Sequence, residues 1–255
     1  MKIAVYQMSA EAGDVAANLK LIGAAAEQAA AGSARLLVAP ELAVTGYGAG
    51  DAIRRLAEPP DGQQVGQLQA LSRAYGLAIV AGFAERAEAG IFNSLVMVDG
   101  DLPPAVYRKS HLYGDYERAL FEPGEARSML CSCQGLKLGF LICYDVEFPE
   151  NVRRLAQAGA ELVLVPTALP QGPFAAFIAT SMVAVRAFEN QIFVVYANHG
   201  GRDENFAYAG LSRVVGPDGR CLAAAPDDKA ALLFAEIDPA AFEASRRANT
   251  YLADL

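Results

Sequence analysis

The sequence predicts an α/β layered domain over residues 1–255, built from a mixed sheet or a pair of sheets covered by helices. Three observations carry that expectation. Short apolar, β-prone runs alternate with longer runs of helical period. Several pairs of the short runs flank turn dipeptides, as antiparallel neighbours do. No linker, low-complexity tract or internal repeat divides the chain.

The elements follow in order. Lys2–Gln7 is a first strand, its apolar stretch too short for a signal peptide. Asp14 is placed to cap a helix over Val15–Ala31, which Gly32 ends. Arg35–Ala39 is a compact strand running into Pro40-Glu41. A helix over Gln63–Tyr75 stops at Gly76, and the strand Leu77–Gly82 follows. Asn93–Val98 and Ala105–Lys109 flank Asp99-Gly100, a dipeptide suited to a tight turn. Ser128–Cys133 and Leu136–Ile142 meet near Gly135 as antiparallel neighbours. Pro149 suits the first turn of a helix over Pro149–Ala158, with Val152, Leu155 and Ala156 inward. Glu161–Val165 is a buried strand. Phe177–Asn190 reads as one helix whose stripe is Phe177, Ile178, Ser181, Met182, Val185 and Phe188. Ile192–Ala197, Ala209–Val215 and Ala230–Ile237 are strands, with the turn Gly216-Pro217-Asp218-Gly219 after the second. Pro239–Ala248 is a short closing helix.

Composition narrows the function classes. A hydrophobic content of 53% supports a sizeable core, and a net charge of -8 argues against a nucleic-acid surface or adhesion to anionic membrane. Charge or glycine breaks every apolar window before it could span a bilayer. The four cysteines (131, 133, 143 and 221) include no C-x-x-C pair, and with two histidines no metal site or other cofactor is expected. Cys131 and Cys133 share one face of a strand and read as packing. Reduced thiols and the absence of a leader make the cytoplasm the default compartment.

Three ionisable residues stand where strands run out: Glu41, Lys109 and Cys143. Cys143 closes the run Leu138-Gly139-Phe140-Leu141-Ile142 just before a helix start. Nearby amides and the positive helix end there would favour thiolate over thiol. Each residue alone has an ordinary reading: a surface acid, a solvated lysine, a small core filler. Together they have a chemical logic, because a thiolate attacks a carbonyl carbon, a carboxylate carries protons and an ammonium holds an oxyanion.

Pro40-Glu41-Leu42, Tyr107-Arg108-Lys109-Ser110-His111-Leu112 and Cys143-Tyr144-Asp145-Val146-Glu147-Phe148-Pro149-Glu150 resemble, in order and spacing, the three signature stretches of the nitrilase (carbon–nitrogen hydrolase) superfamily. Glu117-Arg118-Ala119-Leu120-Phe121-Glu122-Pro123-Gly124 resembles the family segment with a second glutamate. Arg186 through Gln191 and Tyr196-Ala197-Asn198 resemble later blocks, so the likeness runs nearly end to end. The resemblance implies a four-layer αββα sandwich, paired as an αββα–αββα homodimer or a higher homo-oligomer. It implies Cys143 as nucleophile, Glu41 as general base and acid, and Lys109 with the Tyr144 backbone N–H at the oxyanion. It also gives Glu117 a part in positioning substrate and the lysine.

Among family members the chain is most similar to bacterial aliphatic amidases of the 5-aminopentanamidase kind, in stretches such as Leu42 through Tyr47, Lys109 through Gly114 and Val165 through Ala168. The expected substrate is a small aliphatic primary amide. Glu147 stands near where some members acting on carboxylate-bearing substrates carry an arginine, so it would favour an ammonium-bearing substrate. Its alternative is an ion pair with Arg153 or Arg154. Thr167, Tyr47 and Phe174 are candidate pocket walls. His111 is expected to anchor the loop after Lys109 through a backbone hydrogen bond, and His199 to be a solvated loop residue. Arg186 and Glu189 are expected to pair on their helix. Nitrile or N-carbamoyl amine hydrolysis on the same three residues is the alternative reaction. A Cys–His hydrolase using His111 or His199 and a non-catalytic binding module complete the alternatives.

Overall fold

The computed structural model describes residues 1–255, and its strands divide evenly between two six-stranded sheets. The first is built from β1 (Lys2–Gln7), β2 (Leu36–Val38), β3 (Ala78–Ala87), β4 (Gly90–Val98), β5 (Ala105–Arg108) and, from the far end of the chain, β12 (Ala231–Glu236). The second holds β6 (Leu130–Cys133), β7 (Leu136–Phe140), β8 (Leu162–Thr167), β9 (Phe193–Asn198), β10 (Arg213–Val215) and β11 (Cys221–Ala224). The spatial orders are β12-β1-β2-β3-β4-β5 and β11-β10-β9-β8-β7-β6. In each sheet three central strands run parallel, joined through helices, and antiparallel strands flank them.

Strand alternation builds the layers. Ile3, Val5, Leu36, Val38 and Val80 turn inward into one cluster with residues of the second sheet. Their neighbours Ala4, Leu37, Ile79 and Ala81 face α1 (Val15–Ala31) and α3 (Gln63–Tyr75). The second sheet is backed by α5 (Pro149–Gln157) and α6 (Val183–Asn190), after the short helices α2 (Ala52–Leu56) and α4 (Gly114–Leu120). Each fully buried Leu, Ile or Val contributes about 1.5–3 kcal/mol. The result is the αββα sandwich, completed near the C-terminus by α7 (Glu243–Ala248).

The helix signals act as the residues suggest. Asp14 Oδ1 accepts the Ala17 N–H at 2.9 Å, and Gly32 closes α1. Gly76, at φ 63°, ends α3 in the left-handed conformation that glycine adopts at least cost. Pro149 opens α5, with Val152, Leu155 and Ala156 buried.

Three expectations are corrected, and one strand is added to them. The strand expected to end at Gly82 continues to Ala87 and turns at once into β4. It can do so because Glu85 is buried with Arg108 at 2.5 Å and Ser94 at 2.7 Å. Ala209–Val215 is extended only from Arg213, since Gly210 and Leu211 have φ of 63° and 60°. The strand β11 was not anticipated. The single helix Phe177–Asn190 is a π-helical turn over Phe177–Met182 followed by α6. Its buried face is Val183, Arg186, Ala187 and Asn190, and of the expected stripe Phe177 and Val185 stand exposed. No helix is long and apolar enough to cross a membrane.

Candidate active site

Two sheets meet where Glu41, Lys109 and Cys143 come together. Glu41 follows β2 at a backbone crossing pressed against β3. A Cβ on Gly82 would stand 2.1 Å from Leu42 N and 2.6 Å from the Glu41 carbonyl carbon. Only a residue without a side chain lets the two backbones approach so closely. Gly82→Ala should therefore lower stability by about 2 kcal/mol or more, and the activity of a site that uses Glu41 should fall with it. Thermal melts and initial rates check both.

Lys109 directly follows β5, its backbone N–H donating to Asn93 O at 2.8 Å. Its ammonium lies between two carboxylates, 2.7 Å from Glu41 Oε1 and 2.6 Å from Glu117 Oε1, and all three side chains are buried. Asn93 Nδ2 donates to the same Glu41 oxygen at 2.6 Å, whereas Glu41 Oε2 is buried without a partner. Glu117, on α4, also accepts from Tyr47 OH at 2.9 Å and from the Tyr113 N–H at 2.9 Å. Burial alone would drag the lysine down, but Glu41 and Glu117 override it and hold the ammonium well above its usual range. Burial lifts Glu117, against the pull of Lys109.

Cys143 is buried at φ 45°, a conformation a side-chain-bearing residue adopts at a cost of about 1–3 kcal/mol. The turn is over-determined by Asp145. Its Oδ2 accepts from Tyr107 OH at 3.0 Å and Ile142 N at 3.1 Å, and its Oδ1 from Ser110 Oγ at 2.8 Å and His111 N at 2.9 Å. One buried carboxylate thus ties the lysine strand of the first sheet to the cysteine turn of the second. Arg186 clamps the same turn from α6, donating to Val146 O at 2.9 Å and Glu147 O at 2.8 Å, besides pairing with Glu189 at 3.0 Å. The expected thiolate is not favoured in the free protein. Burial and the Glu41 charge push the thiol well above its ordinary value, outweighing Lys109 and the Ala168 amide. The helix end expected to favour the thiolate is displaced along the chain, since α5 begins only at Pro149, beyond a 3-10 turn.

A cavity of about 390 Å³ opens onto Cys143. Tyr47, Tyr113, Glu117, Tyr144, Glu147 and Phe174 are among the residues lining it. Thr167 is not. It is fully buried, its hydroxyl donating to Val165 O at 2.9 Å. Glu147 is half-buried, and neither expected arginine pairs with it: Arg153 donates to Glu189 O at 2.8 Å and Arg154 to Asn151 Oδ1 at 2.6 Å. Burial raises its carboxyl, while Lys109 and Arg186 pull it the other way.

His111 anchors the loop after Lys109 through its backbone N–H, as expected, whereas His199 is not placed as expected. The His111 ring lies 3.0 Å from Asp145 Oδ1 and stacks on Phe148 at 3.9 Å, so the carboxylate anchors ring and backbone alike. His199 is buried rather than solvated, with Nε2 2.6 Å from the Glu41 carbonyl. Burial lowers its pKa, against hydrogen bonds from the ring to the Glu41 and Met8 carbonyls, and the Nε2 contact steadies the Glu41 main chain. Asn93 and Asp145 carry no role in the sequence expectations, and His199 carries one only in the Cys–His alternative. Only the acidic residue inside the cysteine motif offered a signal.

The αββα sandwich with its thiol, ammonium and carboxylates at the seam is the architecture of the nitrilase superfamily. The carbon-nitrogen hydrolase family profile matches residues 2–247. The "Hydrolase in pqqF 5'region" of Pseudomonas protegens is 43% identical, covering 100% of this chain and 88% of its own. An "(R)-stereoselective amidase" of Pseudomonas sp is 38% identical over 100% and 91%. A cysteine-to-serine mutant of the Nesterenkonia AN1 amidase superposes with a TM-score of 0.89 at 34% identity, covering 100% of this chain and 94% of that one. The chain belongs to the carbon–nitrogen hydrolase family, and it is a hydrolase acting on carbon–nitrogen bonds.

Proposed function

We propose that the protein is an amidase that converts small aliphatic primary amides to carboxylic acid and ammonia through a thioester on Cys143. The observation that carries this reading is the bonding of Glu41. One oxygen is saturated by Lys109 and Asn93, and the other is buried and open. Beside a protonated thiol, that buried oxygen is a proton acceptor in waiting. Glu41 takes the Cys143 proton as sulfur bonds to the amide carbon, and the carbonyl electron pair moves to oxygen. Lys109, held charged by its two acids, and the Tyr144 N–H receive the oxyanion. Glu41 returns its proton to nitrogen, the C–N bond breaks and ammonia leaves. Water then attacks the thioester, giving its proton to Glu41, and the acid departs as the proton returns to sulfur. The Nesterenkonia amidase has been captured with butyramide in a cysteine-to-alanine mutant, which supports an amide-binding role for the equivalent cavity.

Glu147 extends the reading to substrate charge. It is a cavity-lining carboxylate with no cation within ion-pair distance, so it favours an ω-amino amide such as 5-aminopentanamide over one ending in carboxylate. Ammonia release from pentanamide, 5-aminopentanamide, glutaramate, a nitrile and an N-carbamoyl amine tests both parts. The expected order places 5-aminopentanamide first and glutaramate last. Turnover confined to the nitrile or the carbamoyl amine would replace the amidase reading. Glu147→Gln should cut the 5-aminopentanamide to pentanamide ratio of kcat/KM by roughly 3- to 10-fold, the scale of one partly desolvated charge contact. A homodimer would cover exposed Val185 on the outer helical layer and belongs to the same proposal.

A further inference from the structure

The segment leading into α6 changes helical type at the cavity wall. Ile178 N–H donates to Phe174 O, an α-type bond, but Val183 N–H reaches back five residues to Ile178 O. Within the turn, Thr180 Oγ1 donates to Ala176 O at 2.7 Å, a side-chain bond to the carbonyl four residues back. Downstream, α6 is fixed by the Arg186 bonds to the Val146 and Glu147 carbonyls. Upstream, Phe174, Phe177, Ile178 and Met182 line the cavity. In an uninterrupted α-helix, Phe177 and Met182 would point roughly 140° apart, at 3.6 residues per turn. A turn closed by an i→i+5 bond holds one residue more, which brings both onto the same side.

We propose that the π-helical turn Phe177–Met182 is a specificity-determining element. Its extra residue sets the register that aims an apolar wall at the acyl group while α6 stays locked to the cysteine turn. The inference rests on the amide-hydrolase reading and adds the substrate class: amides with an aliphatic chain long enough to reach the wall. Short amides engage the Glu41, Lys109 and Cys143 machinery without it.

The test compares butyramide with acetamide. Each methylene well placed in an apolar pocket changes kcat/KM by about 10-fold or more, so the wild-type ratio should favour butyramide strongly. Deleting Thr180 closes the turn toward α-helical register. It should lower the butyramide to acetamide ratio about 10-fold, with acetamide turnover changed less than about 3-fold. Ile178→Ala and Met182→Ala, which keep the backbone, should lower the same ratio and decide the matter if the deletion variant fails to fold. A ratio unchanged in the folded variants, or an equal loss on both amides, overturns the inference. A wild-type protein inactive on both amides would count against the amidase reading instead.

Discussion

Lys109→Met is expected to lower kcat/KM for an amide by at least about 10³-fold and to destabilise the protein by about 3–5 kcal/mol. The ammonium is the only cation within ion-pair distance of Glu41 and Glu117. Without it, two buried carboxylates face each other across the vacated space, and at least one must hold a proton. Oxyanion stabilisation is then lost, and the proton acceptor is compromised in the same stroke. Stability and activity can be separated by adding Glu117→Gln, which removes the second acid. The double variant should regain much of the lost thermal stability and none of the turnover. Recovery of turnover in the double variant would mean that Lys109 serves only to neutralise charge.

Cys143→Ala should reduce ammonia release by about 10⁵-fold or more, the scale of deleting a covalent nucleophile, while the melting temperature changes little. The raised thiol makes a sharper claim than the loss itself. Because Cys143 rests as a thiol, its reaction with methyl methanethiosulfonate, a reagent that is not an amide, should keep accelerating with pH beyond the point where free cysteine levels off, near pH 8.5. Glu41→Gln should move that profile toward lower pH by removing the carboxylate charge that opposes the thiolate. A wild-type profile levelling off below that of free cysteine would show a resting thiolate and remove the need for Glu41 in the first proton transfer.

Much of the site was legible because its members end strands. Glu41, Lys109 and Cys143 each punctuate an apolar run, and the structure brings them to one place. What escaped depends on register and on long-range approach. Asn93 lies in the middle of β4 and meets Glu41 only because β4 is aligned with β3 and β5. His199, before two glycines, has the local texture of a loop residue. It is buried because the end of β9 bridges to Met8 and passes over Glu41. Thr167 is fully buried at the end of β8, where its hydroxyl is used by the Val165 carbonyl, a pairing that the sequence does not reveal. The π-helical turn was invisible to a 3.6-residue period, which runs through the inserted residue and selects the wrong face beyond it.

The pairing of Lys2 with Glu236 along β1 and β12 has a consequence during synthesis. A chain emerging from the ribosome presents β1 early, with the edge meant for β12 still open. That edge waits while the whole second sheet, Leu130 to Ala224, is made. Only when Glu236 clears the exit tunnel can the first sheet close, so catalytic competence should arrive abruptly and late, and nascent chains halted before β12 should be the ones that chaperones hold.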